Sequence, residues 1–199
     1  GFPIFFSEEV SGWDGRRFKL HKLRTLKNND TDETINHKDL LTSFHYDDVF
    51  GTVLNRFCVQ AAINKPLTIY GNGSQTRTYL NIKDTLKCVE IATNNPPKEG
   101  EFKVFNQFTE TFSILELANI VKESAKNLNL NVELSYIKNP RIEKEDHYYN
   151  AKNEKLVSLG LNPIKLNSEF VQQMISKICE SKDLINNDII DPRIKWKAK

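Results

Sequence analysis

Y-G-N-G-S-Q-T-R-T-Y-L-N-I-K-D, from Tyr70 to Asp84, is the stretch that decides the fold. It joins two strand-like runs, Leu67 to Tyr70 and Thr78 to Ile82, through a turn carrying Gly71 and Gly73. Glycines there admit positive φ and let another group approach the backbone closely. Arg77 stands beside the turn and offers a planar fork of donors that matches phosphate oxygens two at a time. It serves either an anionic ligand or an ion pair with Asp84. The same stretch excludes a dinucleotide cradle at this point, because Thr76 replaces the third glycine and a strand pattern, not a helix, comes next. Tyr79 with Lys83 and Tyr148 with Lys152 have Tyr-x-x-x-Lys spacing, but the first pair begins on a strand and Tyr148 precedes its helix. Neither pair stacks its lysine one helical turn above its tyrosine.

Working outward, Asp47 and Asp48 are read as the cap of a helix whose apolar positions are Phe50, Val53, Leu54, Phe57 and Ala61, ending before Pro66. Asp84 is read as the cap of a second helix to about Asn94, with Leu86, Val89 and Ala92 inward. A strand is expected at Phe102 to Phe105 and another at Asn131 to Ile137. Ser113 and Glu116 form a capping box, with Phe112 and Leu117 as its hydrophobic staple, opening a helix to about Asn127. Ala151 to Leu159 reads as a helix closed by Gly160. Asn167 or Ser168 starts another with the stripe Phe170, Val171, Met174, Ile175 and Ile178. The class is mixed α/β.

Composition narrows the function. The chain has 199 residues, 28 basic against 26 acidic, a net charge of +2. Such a balance carries no electrostatic footprint for nucleic acid. No apolar run reaches the roughly 18 residues of a membrane span, and the first residues lack the basic start of a signal peptide. Cys58, Cys88 and Cys179 are odd in number and lack C-x-x-C spacing, which points to buried thiols in a reducing compartment and away from disulfides or zinc.

Four segments carry a family resemblance: G-T-V-L-N-R-F-C-V-Q-A-A (Gly51 to Ala62), L-T-I-Y-G-N-G-S-Q-T-R-T-Y-L-N-I-K-D-T (Leu67 to Thr85), F-N-Q-F-T-E (Phe105 to Glu110) and N-P-R-I-E-K-E-D-H-Y-Y-N-A-K (Asn139 to Lys152). They resemble the C-terminal substrate domain of the extended short-chain dehydrogenase/reductases, and among these the UDP-sulfoquinovose synthases. The resemblance covers residues 31 to 165 and fades at both ends. It implies an unmatched segment at 1–30, a sugar-nucleotide-binding domain at 31–180 and a tail at 181–199. It also implies that the Rossmann half, with its cofactor glycines and catalytic Tyr-x-x-x-Lys, is absent, so that the chain is a fragment and inactive alone.

The implied parent reaction takes UDP-glucose and sulfite to UDP-sulfoquinovose, with NAD removing and returning hydride. NAD is expected in the complete parent and not on this chain alone. Arg77 and Arg141 are implied as the two jaws on the diphosphate. Asn55 and Arg56 either reach the nucleotide or belong to a solvated helix face. Thr68 and Tyr70 either meet the uracil or face solvent. Glu143, His147, Tyr148 and Tyr149 are weaker candidates. The remaining expectations are a plastid stroma or cytoplasmic setting, a possible homodimer of the parent, and an uncovered apolar face around the Asp48 to Ala62 helix. Two alternatives stay open: another NDP-sugar epimerase or dehydratase, and a non-catalytic sugar-nucleotide-binding remnant. The stretches V-F-N-Q-F-T-E and H-Y-Y-N-A-K favour the sulfoquinovose branch over the epimerases.

Overall fold

The computed structural model describes residues 44–49, 51–139 and 152–191, together with the backbone of 5–11 and 17–23. Contacts divide the chain into two units, Gly1–Ser43 and Phe44–Lys199. In the first, β1 (Phe5–Ser11) and β2 (Arg17–Leu23) pair as an antiparallel hairpin, with Phe5 opposite Leu23 and Ser11 opposite Arg17. The sequence reading assigned no element there.

The second unit is built around α1 (Val53–Ala62), α3 (Ile114–Asn127) and α5 (Ser168–Cys179), which pack on one another. Two short strand pairs complete it. β3 (Leu67–Tyr70) runs parallel to β6 (Leu134–Ile137), and β4 (Thr76–Tyr79) runs antiparallel to β5 (Glu110–Ser113). The parallel pair needs a long crossover, and α3 lies within that connection and packs on β3. The core joins Leu54, Phe57, Cys58, Ala61, Leu67, Ile69, Leu117, Val121, Val171 and Ile175. Burying Phe57 or Leu117 in full contributes about 1.5–3 kcal/mol each.

Local signals explain most boundaries. In α3 the capping box forms: the Glu116 N–H donates to Ser113 Oγ at 3.1 Å, and Glu116 Oε2 accepts the Ser113 N–H at 2.7 Å. Phe112 packs against the core that holds Leu117, completing the staple. α5 starts at Asn167, whose side chain accepts from the Phe170 N–H. α4 (Glu154–Ser158) ends before Gly160, which sits at φ +104°.

Five expectations are corrected. The cap of α1 is Thr52, not Asp47 or Asp48, whose turn precedes the helix; Asp47 Oδ1 accepts the Val49 N–H at 2.7 Å. The cap of α2 (Ile82–Asn94) is Asn81, and Asp84 lies inside the first turn, fully buried. Asp84 accepts the Ile164 N–H at 2.6 Å and Lys87 Nζ at 3.2 Å, so this carboxylate turns α2 about its axis. Leu86 and Val89 consequently face outward, while Cys88 and Ile91 pack with Leu156, Leu161 and Phe105. No strand forms over Phe102 to Phe105, where Phe102 is exposed. Finally, α1 is not an uncovered face: Leu54, Phe57, Cys58, Val59, Ala61 and Ala62 are all buried.

Candidate functional site

Gly71 and Gly73 adopt φ +65° and +78°, and the turn they make is closed by Asn72 Oδ1 accepting the Ser74 N–H at 2.8 Å. A Cβ on Gly73 would lie 2.9 Å from Ile69 Cγ2, so the turn folds tightly back over β3. Gly51 permits a second close approach, since a Cβ there would run into the Asp47 carbonyl oxygen.

At the start of α1 lies a cleft of about 260 Å³. It is lined by Gly51, Thr52 and Val53 at the start of α1, by Arg56 on α1, by Tyr70 at the end of β3, and by Arg77 and Tyr79 on β4. Arg56 is nearly buried: it donates to the Tyr70 hydroxyl at 2.9 Å and the Thr68 carbonyl at 3.0 Å, with its guanidinium 4.4 Å from the Tyr70 ring centroid. Arg77 is half-buried and donates to the Thr76 carbonyl at 2.9 Å. Asp84, which the sequence offered as an alternative partner for Arg77, accepts from Lys87 Nζ and the Ile164 N–H. Two guanidinium groups and the positive end of a ten-residue helix thus face one small cleft. That is a setting for an anion. Burial pushes the Tyr79 phenol up to about 12, with Arg77 and then Arg56 pulling the other way, so the hydroxyl stays protonated at neutral pH.

The structure therefore brings together Arg56, Tyr70 and Arg77. It places Asn55 and Thr68 elsewhere. Asn55 Nδ2 donates to the His45 carbonyl at 3.1 Å, tying the 44–49 turn to α1. Thr68 is held by buried Gln60, which donates to its hydroxyl at 2.8 Å and accepts its N–H at 3.2 Å. Arg141, Glu143, His147, Tyr148 and Tyr149 lie outside the described residues. Sequence reasoning missed Thr52, Gln75 and Tyr79 as lining residues. Thr52 was detectable as a hydroxyl directly before the apolar period of α1. Tyr79 carried only a strand signal, and its ring meets Phe112 across the β4–β5 pair at 6.1 Å between centroids. Tyr79 and Lys83 belong to separate elements, as the strand reading required. Among the described residues no His, Cys, Asp and Glu group could hold a metal ion, and no helix is long and apolar enough to cross a membrane.

No protein-family model matches the chain. Named relatives do, among them two UDP-sulfoquinovose synthases. It is 51% identical over 167 residues to the chloroplastic UDP-sulfoquinovose synthase of Spinacia oleracea, covering 84% of this chain and 35% of that protein. The chain is homologous to part of the UDP-sulfoquinovose synthases. Against the UDP-sulfoquinovose synthase of Sulfolobus acidocaldarius it is 41% identical over 167 residues, covering 83% of this chain and 42% of that one. It thus spans between a third and a half of the length of the UDP-sulfoquinovose synthases it matches. Among solved structures, the UDP-glucose 4-epimerase of Thermotoga maritima, determined with UDP-glucose, aligns with a TM-score of 0.53 at 16% identity over 68% of this chain and 42% of that one. That likeness is one of fold.

Proposed function

We propose that this chain holds the UDP-sugar of a UDP-sulfoquinovose synthase, with the diphosphate in the cleft between Arg56 and Arg77. The observation that carries the reading is the convergence of those two guanidinium groups on the amino end of α1. The cleft is smaller than the roughly 300–1,000 Å³ of sites that enclose a drug-sized ligand, so it takes the diphosphate and leaves the rest of the sugar nucleotide outside it. Arg56, fixed by Tyr70 and Thr68, supplies a rigid charge, while Arg77, half-buried, supplies the fork that adjusts to the phosphate oxygens. Arg141, outside the described residues, belongs to the proposal as the other jaw that the family resemblance implies.

In the complete reaction, UDP-glucose and sulfite give UDP-sulfoquinovose and NAD carries the hydride. The described residues do not fit NAD: the Gly71 and Gly73 turn leads into β4, and no glycine-rich strand-to-helix turn lies among them. The contribution of this chain is positioning. Binding energy on a diphosphate, remote from the reacting sugar carbons, holds the sugar in one orientation and lowers the barrier through that constraint. We assign acid and base chemistry to none of these residues, and Tyr79, protonated at neutral pH, is no general base.

A titration of the isotopically labelled chain with UDP-glucose and with free glucose, followed by amide resonances, tests the placement. UDP-glucose is expected to shift Gly51, Thr52 and Arg77, and glucose to leave them unmoved. Shifts confined to other surfaces would overturn it.

A further inference from the structure

Gln75 has one end of its side-chain amide committed and the other unused. It is 2% exposed, and its Nε2 donates back across the glycine turn to the Tyr70 carbonyl at 3.2 Å. That bond identifies the remaining atom, Oε1, as an acceptor. Among the described residues no donor reaches Oε1, although Gln75 lines the cleft. A buried acceptor without a donor costs stability, and an apolar side chain of similar volume carries no such cost. The turn needs only the Nε2 bond, so Oε1 calls for a partner from elsewhere.

The strand beside it says what that partner is. Gln75 directly precedes β4, and the Ile114 N–H donates to its carbonyl at 3.0 Å, which carries the β4–β5 pairing one step beyond Thr76 and Ser113. Side chains two apart on a strand share a face, so Gln75, Arg77 and Tyr79 stand in a row, and all three line the cleft. Each step of the row is roughly 6.5–7 Å. An ionised diphosphate on Arg77 has only acceptor oxygens and cannot answer Oε1. The sugar rings joined to a diphosphate carry hydroxyl donors within one such step of it.

We propose that Gln75 Oε1 accepts a hydrogen bond from a sugar hydroxyl next to the diphosphate, so that the cleft selects a diphosphate carrying a sugar over a bare one. The inference rests on the placement of the diphosphate at Arg77. The ring itself stays at the mouth of the cleft, with its nearest hydroxyl turned to the Gln75 end of the row. Ribose and glucose both offer that chemistry, one on each side of the diphosphate. A ligand lacking the hydroxyl leaves Oε1 buried and unpaired, which is how a site built around a hydrogen bond rejects the analogue without it.

Calorimetric titration of the whole chain with four probes tests it: UDP-glucose, its 2-deoxyglucose analogue, its 2′,3′-dideoxyribose analogue and inorganic diphosphate. One deoxy analogue is expected to bind about threefold to tenfold more weakly than UDP-glucose, and its identity names the ring. Gln75→Met, similar in length, is expected to bind UDP-glucose as weakly as the parent binds that analogue, and to lose the preference between the two. Its affinity for inorganic diphosphate is expected to stay within about twofold of the parent, with a thermal melt confirming that it folds. Equal affinity of the parent chain for UDP-glucose and both analogues would overturn the inference without any variant. So would a Gln75→Met chain that weakens all four probes alike and keeps the deoxy penalty, the mark of a structural role alone. Inorganic diphosphate binding that is indifferent to Arg77→Ala would instead overturn the placement at Arg77, and the inference with it.

Discussion

Arg56 and Arg77 are two arginines in one cleft with different duties. Arg56 is nearly buried and bonded to β3 through Tyr70 and Thr68, so it is as much a strut as a charge. Gln60 is a second strut. It is fully buried and satisfies both the N–H and the hydroxyl of Thr68. Replacing Gln60 with Leu leaves those groups without their partner at a buried position, and we predict a loss of about 1–3 kcal/mol in urea unfolding. A Thr68→Val partner change should recover part of it by removing the orphaned hydroxyl. The sequence set Arg77 beside a glycine turn, and the structure puts it in the lining of the cleft. Asn55 and Thr68 were not separable from it. Their roles are set by His45 and Gln60, contacts that no local pattern encodes.

Element by element, what the sequence showed was whatever a few neighbouring residues determine. The capping box of α3, the Asn167 start of α5 and the Gly160 stop after α4 were all visible as short patterns. The orientation of α2 was not. Its apolar residues form one helical face, so periodicity alone turned Leu86 and Val89 inward, whereas the buried Asp84 carboxylate answers an N–H eighty positions along the chain. A buried carboxylate that must be satisfied outweighed two exposed apolar side chains. The α3 cap also gives a pH signature. Hydrogen bonds from the Ser113 N–H and hydroxyl hold the Glu116 carboxyl below its ordinary value. A depressed folded-state value means that this contribution is present above the unfolded value and lost as pH falls through the folded one. Ser113→Ala is predicted to cost about 0.5–1 kcal/mol at neutral pH. Its effect on the melting temperature should shrink as the pH is taken from neutral to below the folded-state value of Glu116, where the carboxyl is protonated in both chains. Because the pair is exposed, the pH-dependent share is a fraction of that loss. An equal gap at both pH values would contradict the cap as described.

Over the whole molecule, the helical core of α1, α3 and α5 is the rigid body on which the cleft is mounted, with α1 nearly enclosed. We predict that Phe57→Ala, which empties the middle of that core, destabilises the fold by about 3–5 kcal/mol and abolishes nucleotide binding by unfolding the site. Arg77→Ala should weaken binding by about tenfold to a hundredfold at a far smaller cost in stability than Phe57→Ala. That contrast separates scaffold from site. The α/β class followed from the order of strand and helix patterns, and the family from dense matches at Gly51 to Ala62 and Leu67 to Thr85, whereas the parallel pairing of β3 with β6 had no local signal. The hairpin of β1 and β2 lay outside any such match.

The central claim is tested most directly by calorimetric titration of UDP-glucose into the parent chain, Arg77→Lys and Arg77→Ala. Affinity is expected to fall in that order, because Lys keeps the charge but loses the two-point fork, and Ala leaves phosphate charge unanswered. A charge-assisted bond contributes roughly 1.5–3 kcal/mol, so Ala should weaken binding by about tenfold to a hundredfold. Arg77→Ala affinity within twofold of the parent would contradict the clamp and return Arg77 to a structural role.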